Sequence, residues 1–187
     1  MQKFALIGLA FAVALSTACN NAADRSTNAA NDAAAAATPR EDIRMSAPEQ
    51  EFVKGAIKGN QMEVDLAEIA QGKSETRAVD EYADQLERDH SNVLDELRRL
   101  ADKADIKMTD EPAAEKASLE NKLETLKGTA FDREYLSQMI EAHKKNIAKF
   151  ESMQSTATGE LKALIDKTLP VMREHLQKAE TLMASFK

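Results

Sequence analysis

Between residues 52 and 186 the chain four times repeats inward-type side chains at steps of three or four residues. Only an α-helix turns that spacing into one continuous face. The first run is Phe52, Ala56, Gly59, Glu63, Leu66 and Ala70. Ahead of it Ser46-Ala47-Pro48-Glu49 reads as a capping box with proline in the first turn, and Gly72 is its expected stop. The second run is Val79, Ala83, Leu86, His90, Val93, Leu97, Leu100 and Ala104, with Ser74 as its expected cap. A break follows at Thr109 to Pro112, and Leu119, Leu123 and Leu126 predict a short helix ending at Gly128. The third run, with Asp132 as cap, is Leu136, Met139, His143, Ile147 and Phe150. A connector with Thr156, Thr158 and Gly159 leads to the fourth: Leu161, Leu164, Thr168, Met172, His175, Ala179, Leu182 and Phe186. Pro170 inside that run cannot donate to the Asp166 carbonyl, which predicts a kink or an opened turn. One-sided stripes joined by mostly short connections predict an all-α fold, an up-down antiparallel four-helix bundle with an extra short helix between helices 2 and 3. Six glycines, four prolines and no tryptophan in 187 residues leave little turn chemistry for a sheet.

Upstream of the stripes the chain changes character. Lys3 precedes a twelve-residue apolar stretch, Phe4 to Leu15, and Ser16-Thr17-Ala18 supplies the small residues of a cleavage site. Twelve residues fall short of the roughly twenty that span a bilayer, so the segment reads as a leader. The single cysteine, Cys19, follows at once and has no partner for a disulfide. Leu15-Ser16-Thr17-Ala18-Cys19 resembles a bacterial lipobox, which implies acylation of Cys19 and a stable membrane anchor. By resemblance to lipoprotein sorting rules, Asn20 favours the outer membrane. The sequence thus divides into a signal peptide (1–18), a lipidated cysteine with an Ala/Asn-rich tether (19–47) and a bundle domain (48–187). A net charge of −7 with no basic face argues against nucleic acid; the membrane is the expected partner, and no protein partner is identifiable.

All three histidines, His90, His143 and His175, fall on inner stripes of different helices, and the first helix offers Glu63. Counted from the turns near Lys73 and Ala157 at about 1.5 Å per residue, the histidines agree in depth within about 6 Å, while Glu63 is displaced by about 10 Å. Imidazoles and a carboxylate on facing helices can hold a transition metal, with iron, copper and zinc as the candidates. They can equally form a buried polar network that fixes helix register, each imidazole satisfied by an acid such as Glu63 or Asp89, or by a backbone carbonyl. Glu87-x-x-His90 has the spacing that aims both side chains at one site, but a second such motif is missing: Met172 stands where its glutamate would be. That argues against a di-iron centre. Met139 and Met172, about one turn from His143 and His175, are candidate soft ligands, or core filling. No nucleophile elbow and no phosphate-binding loop is present, so the chain reads as a non-enzyme whose histidine cluster is structural or weakly metal-binding. The alternatives are an envelope metalloprotein for metal storage, sensing or redox chemistry, and a protein-interaction module. One-sided stripes leave no spare apolar face for the latter.

Asp89-His90, Phe131-Asp132-Arg133-Glu134-Tyr135 followed by His143, and Leu169-Pro170 followed by Arg173-Glu174-His175-Leu176 resemble the bacterial family catalogued as domain of unknown function 4142. The likeness spans roughly residues 48 to 186. It implies a ferritin-like four-helix fold and an exported, often lipid-anchored protein, with no activity attached.

Overall fold

The computed structural model describes residues 43–108 and 114–186. The leader, Cys19, the tether before residue 43 and the break at Thr109 to Pro112 lie outside the described residues. Five helices follow in order: α1 (Ala47–Lys73), α2 (Arg77–Lys103), α3 (Ala114–Thr125), α4 (Gly128–Gln154) and α5 (Gly159–Ser185). The four long ones have 27 residues each, about 40 Å of helix. Among the described residues there is no strand, and no helix is long and apolar enough to cross a membrane.

The ends of these helices are set by local chemistry, partly as the sequence predicts. At α1 the Ser46 hydroxyl accepts from the Glu49 N–H, and the Glu49 carboxylate accepts from the Ser46 N–H at 2.8 Å, a reciprocal capping box. Two expected caps are corrected. Thr76, not Ser74, occupies the N-cap of α2. Asp132 does not cap α4, whose N-cap is Lys127; it lies inside the helix and is fully buried. There it accepts the hydroxyls of Ser74 at 2.7 Å and Thr76 at 2.5 Å, so a single carboxylate ties the α1–α2 turn to α4. Gly128 and Gly159, which open α4 and α5, have φ of +53° and +55°, a region glycine enters without a Cβ penalty. At the N-terminal side the chain is already held before α1. The Ile43 N–H donates to the Lys103 carbonyl, and Ile43 and Met45 pack on the core.

The connection that carries α3 determines the topology. Lys73, at the end of α1, donates to the Leu123 and Glu124 carbonyls and sits over the Phe131 ring of α4. Lys103, at the end of α2, pairs with Glu160 at the start of α5 at 2.8 Å. The α1–α2 and α4–α5 turns therefore lie at opposite ends of the bundle. After α2 the chain returns along the bundle, and α3 packs against α1 and α4. Neighbouring helices (α1–α2, α4–α5, α1–α4, α2–α5) are all antiparallel, while α2 and α4 run in the same direction. The simple up-down order is thus replaced by a bundle with one long crossover.

α5 runs through Pro170 as one continuous helix. Pro170 and Asp166 both face solvent, where water can meet the carbonyl that proline leaves without a donor. The buried face of α1 is wider than the predicted stripe and includes Val53, Ile57, Asn60, Val64 and Ala67, because α1 packs on α2 and α4 together.

The core has two apolar halves. One gathers Val53, Ile57, Leu94, Leu97 and Phe150 with Leu161, Leu164 and Ile165 of α5. The other gathers Leu66, Tyr82, Leu86, Phe131, Tyr135 and Met139. Between them, at mid-height, lies a layer of buried polar side chains: Asn60, Glu63, His90, His143 and His175. Each replaces an aliphatic side chain whose burial would stabilise the fold by about 1.5–3 kcal/mol.

Candidate metal centre

Three helices deliver one imidazole each to this layer, and α1 delivers the carboxylate. Glu63 and His175 both lie 16 residues after the first residue of their helices, and His90 and His143 lie 13 and 11 residues before the last of theirs. With the two turns at opposite ends, these counts all run from the same end of the bundle. The displacement of Glu63 expected from the sequence is corrected on that ground. The His90, His143 and His175 rings form a nearly equilateral triangle, with centroids 5.4, 5.4 and 5.5 Å apart. Glu63 Oε2 lies 2.8 Å from His90 Nε2 and 3.9 Å from His143 Nε2.

The partners of the outer nitrogens fix the tautomers. His143 Nδ1 lies 2.9 Å from the Met139 carbonyl, which can only accept, so Nδ1 carries the proton. His175 Nε2 donates to Asp89 Oδ2 at 2.9 Å. Asn60 spends its amide N–H on the Ala56 carbonyl and presents Oδ1 to His90 Nδ1 at 2.8 Å, so this nitrogen also donates. The remaining nitrogens, His90 Nε2, His143 Nε2 and His175 Nδ1, all turn inward; His143 and His175, with lowered pKa values, present lone pairs there, and His90, whose pKa is raised beside Glu63, presents one once its proton leaves. One ligand atom from each histidine lies within 4.8 Å of the others. His143 Nε2 and His175 Nδ1 face each other at 3.4 Å with no proton between them in the neutral rings.

Glu63 Oε2 and His90 Nε2 are close, yet neither has a partner in hydrogen-bond geometry. The contact is an ion pair when His90 is protonated, but the ring nitrogen is out of line for a hydrogen bond to the oxygen. Glu63 Oε1 is satisfied separately by the Asn146 amide at 2.8 Å. Burial pushes the Glu63 carboxyl up, but the His90 and His143 imidazoles, with contacts to His90 and Asn146, outweigh it and hold it at about 2. Burial pushes His175 down to about 4, against the opposing pull of Asp89, and it likewise lowers His143 despite Glu63. For His90 the same burial is overcome by Glu63 and Asp89, and its pKa is raised.

The other sequence candidates separate by position. Asp89 is the outer partner of His175. Met139 enters through its carbonyl. Met172 lines a cavity together with Glu63 and His90. Glu87 is not brought to the layer; it accepts from Ser91 at 3.3 Å. Its glutamate-to-histidine spacing places it on the same helix face, but one turn nearer the rim. Asn60 and Asn146 are not legible in the sequence, because a lone asparagine in a helix carries no periodic signal. Tyr82 donates to the His175 carbonyl at 3.2 Å, and the buried Tyr135 hydroxyl has no hydrogen-bond partner among the described residues.

The donor set is three imidazole nitrogens and one carboxylate oxygen, suited to a single zinc, copper or iron ion. Neighbouring ligand atoms on one such ion, with bonds of about 2.0–2.1 Å, stand roughly 2.9–3.4 Å apart. Three of the six separations, 2.8, 3.4 and 3.9 Å, lie around that range, and the histidine ligand atoms, within 4.8 Å of one another, would draw inward onto an ion.

The family model for the domain of unknown function DUF4142 matches residues 21–182. A crystal structure of a DUF305 fragment from Deinococcus radiodurans superimposes with a TM-score of 0.70 at 18% identity, over 76% of this chain and 99% of that one. A DUF305 protein from Streptomyces coelicolor, described as secreted, gives 0.66 at 17% identity, over 75% of this chain and 92% of that one. At such identities the likeness establishes the fold alone, a ferritin-like helical bundle. No curated protein matches the chain significantly.

Proposed function

The chain belongs to the DUF4142 family, a domain of unknown function, and from that premise we propose that it is an exported envelope protein holding one transition-metal ion in its core. The ligands in this reading are Glu63, His90, His143 and His175. The observation that carries it is the convergence of three inward ring nitrogens, whose outer partners are already committed, and an ionised carboxylate. A polar network that only fixed register would pair these atoms with one another. Here Glu63 Oε2 and His90 Nε2 stand 2.8 Å apart but out of line for a hydrogen bond, and two imidazole nitrogens face each other bare. A cation at the centre would meet all four. Asn60, Asp89 and the Met139 carbonyl then orient the ligands from outside, as partners of metal-bound histidines do.

Export and anchoring rest on the leader, on Cys19 and on Asn20, in favour of the periplasmic side of the outer membrane. The secreted description of the Streptomyces neighbour supports a place outside the cytoplasm.

The test is the metal content of the chain purified without a histidine tag, beside His90→Ala and His143→Ala. The expected result is about one zinc, copper or iron per chain in the parent and loss of that metal in both variants. A parent that retains none, and takes up none of the three when they are added, would overturn the metal reading and leave the layer as core architecture.

A further inference from the structure

A cleft between α1 and α4 reaches the layer from one side. It encloses about 490 Å³ and is lined from the exposed Glu51 and Ser152 to the buried Glu63 and His90. Those two inner residues own the atoms that lack hydrogen-bond partners, Glu63 Oε2 and His90 Nε2, each in a side chain more than nine-tenths buried. A metal ion with six inner-shell waters, at about 30 Å³ per water, displaces roughly 200 Å³, so the cleft has room for it hydrated, and it sheds its waters at the inner end, where Glu63 Oε2 and His90 Nε2 are closed to solvent.

The cleft is open because α1 carries glycine at positions 55 and 59, both of which line it. Glycine weakens the interior of a helix relative to alanine. Neither residue has a positive φ that would demand glycine. Close packing does not demand it either: a Cβ at Gly55 would meet nothing within 4 Å, and one at Gly59 would meet only Asn146 Nδ2 at 3.7 Å. What the two glycines do provide is empty space between α1 and α4. Asn146 borders that space and holds Glu63 Oε1, leaving Oε2 for an arriving cation.

We propose that the α1–α4 cleft is the path by which the metal ion enters and leaves, so that the ion exchanges with its surroundings while the bundle stays folded. This rests on the metal reading above. It makes the centre an exchangeable site, of the kind a storage or delivery protein needs, instead of a permanently enclosed structural ion.

The experiment loads the full chain with zinc and follows its release to excess EDTA under native conditions. The parent, Gly55→Leu and Glu68→Leu, an exposed control elsewhere on α1, are compared. Release from the parent is expected to be faster than its global unfolding, measured in the same buffer. Gly55→Leu is expected to slow release and uptake together by tenfold or more, with the equilibrium affinity within about threefold, while Glu68→Leu changes neither rate. Parent release no faster than unfolding would overturn the proposal, and that comparison needs no variant to fold. So would unchanged rates in a folded Gly55→Leu. A parent that binds no zinc, copper or iron would instead overturn the metal reading itself, and the path with it.

Discussion

An imidazole has two nitrogens and, when neutral, one proton, so fixing the partner of one nitrogen fixes the character of the other. In this core a backbone carbonyl, a carboxylate and an amide oxygen take the three outer N–H groups and leave the inner nitrogens facing the centre. The same groups set how the metal-free fold responds to acid. His143 and His175 have folded pKa values below the ordinary 6.5, His175 at about 4. Their contribution to stability is present above 6.5 and is lost as pH falls toward 4, because the fold must then charge rings it keeps neutral. Glu63 acts in the same direction at lower pH, losing its contribution between 4.5 and about 2. His90, with a raised pKa, contributes below 6.5 and loses that as pH rises through its folded value. Metal-free protein should therefore lose on the order of 3 kcal/mol between pH 6.5 and 4, read from denaturant midpoints. A midpoint constant across that window would contradict neutral, buried imidazoles.

At the scale of elements, helices that look independent in the sequence are joined by one buried carboxylate. Asp132 on α4 accepts two hydroxyls from the α1–α2 turn. Removing it leaves the Ser74 hydroxyl only the Thr76 carbonyl, at 3.2 Å, to donate to, and takes the acceptor from the Thr76 hydroxyl. It also opens a gap in a tightly packed end of the bundle. Asp132→Ala should lower stability by about 2–4 kcal/mol in chemical denaturation, with Asp132→Asn losing less because its amide oxygen still accepts. A loss below about 1 kcal/mol for the alanine variant would show that the tie carries little. Along the chain Asp132 looks like a cap, since a short acidic residue near the start of a helix usually is one. Its inward aim is decided by which turn the topology sets against α4.

For the whole molecule, the crossover between α2 and α4 is the decisive feature. It makes every neighbouring pair antiparallel and brings three histidines to one height, with Glu63 of α1 beside them. The proposed membrane anchor belongs to this scale too, because a bundle so tethered would sample only the surface to which it is attached. Cys19→Ala should move the protein from the membrane to the soluble fraction and remove incorporation of labelled fatty acid. Unchanged membrane partition, with no label in the parent, would remove the lipid anchor from the reading.

The all-α class, the four long helices, the short fifth one and the inward histidines followed from periodicity, because a 3.6-residue repeat writes the buried face of each helix into the order of its side chains. Periodicity is blind to what stands opposite that face. The depth of Glu63, the inward aim of Asp132, the outer partners of the histidines and the cleft at Gly55 and Gly59 all depend on which helices become neighbours and in which direction they run. Those are properties of the crossover, a contact between segments far apart in the chain, and only the tertiary structure decides them.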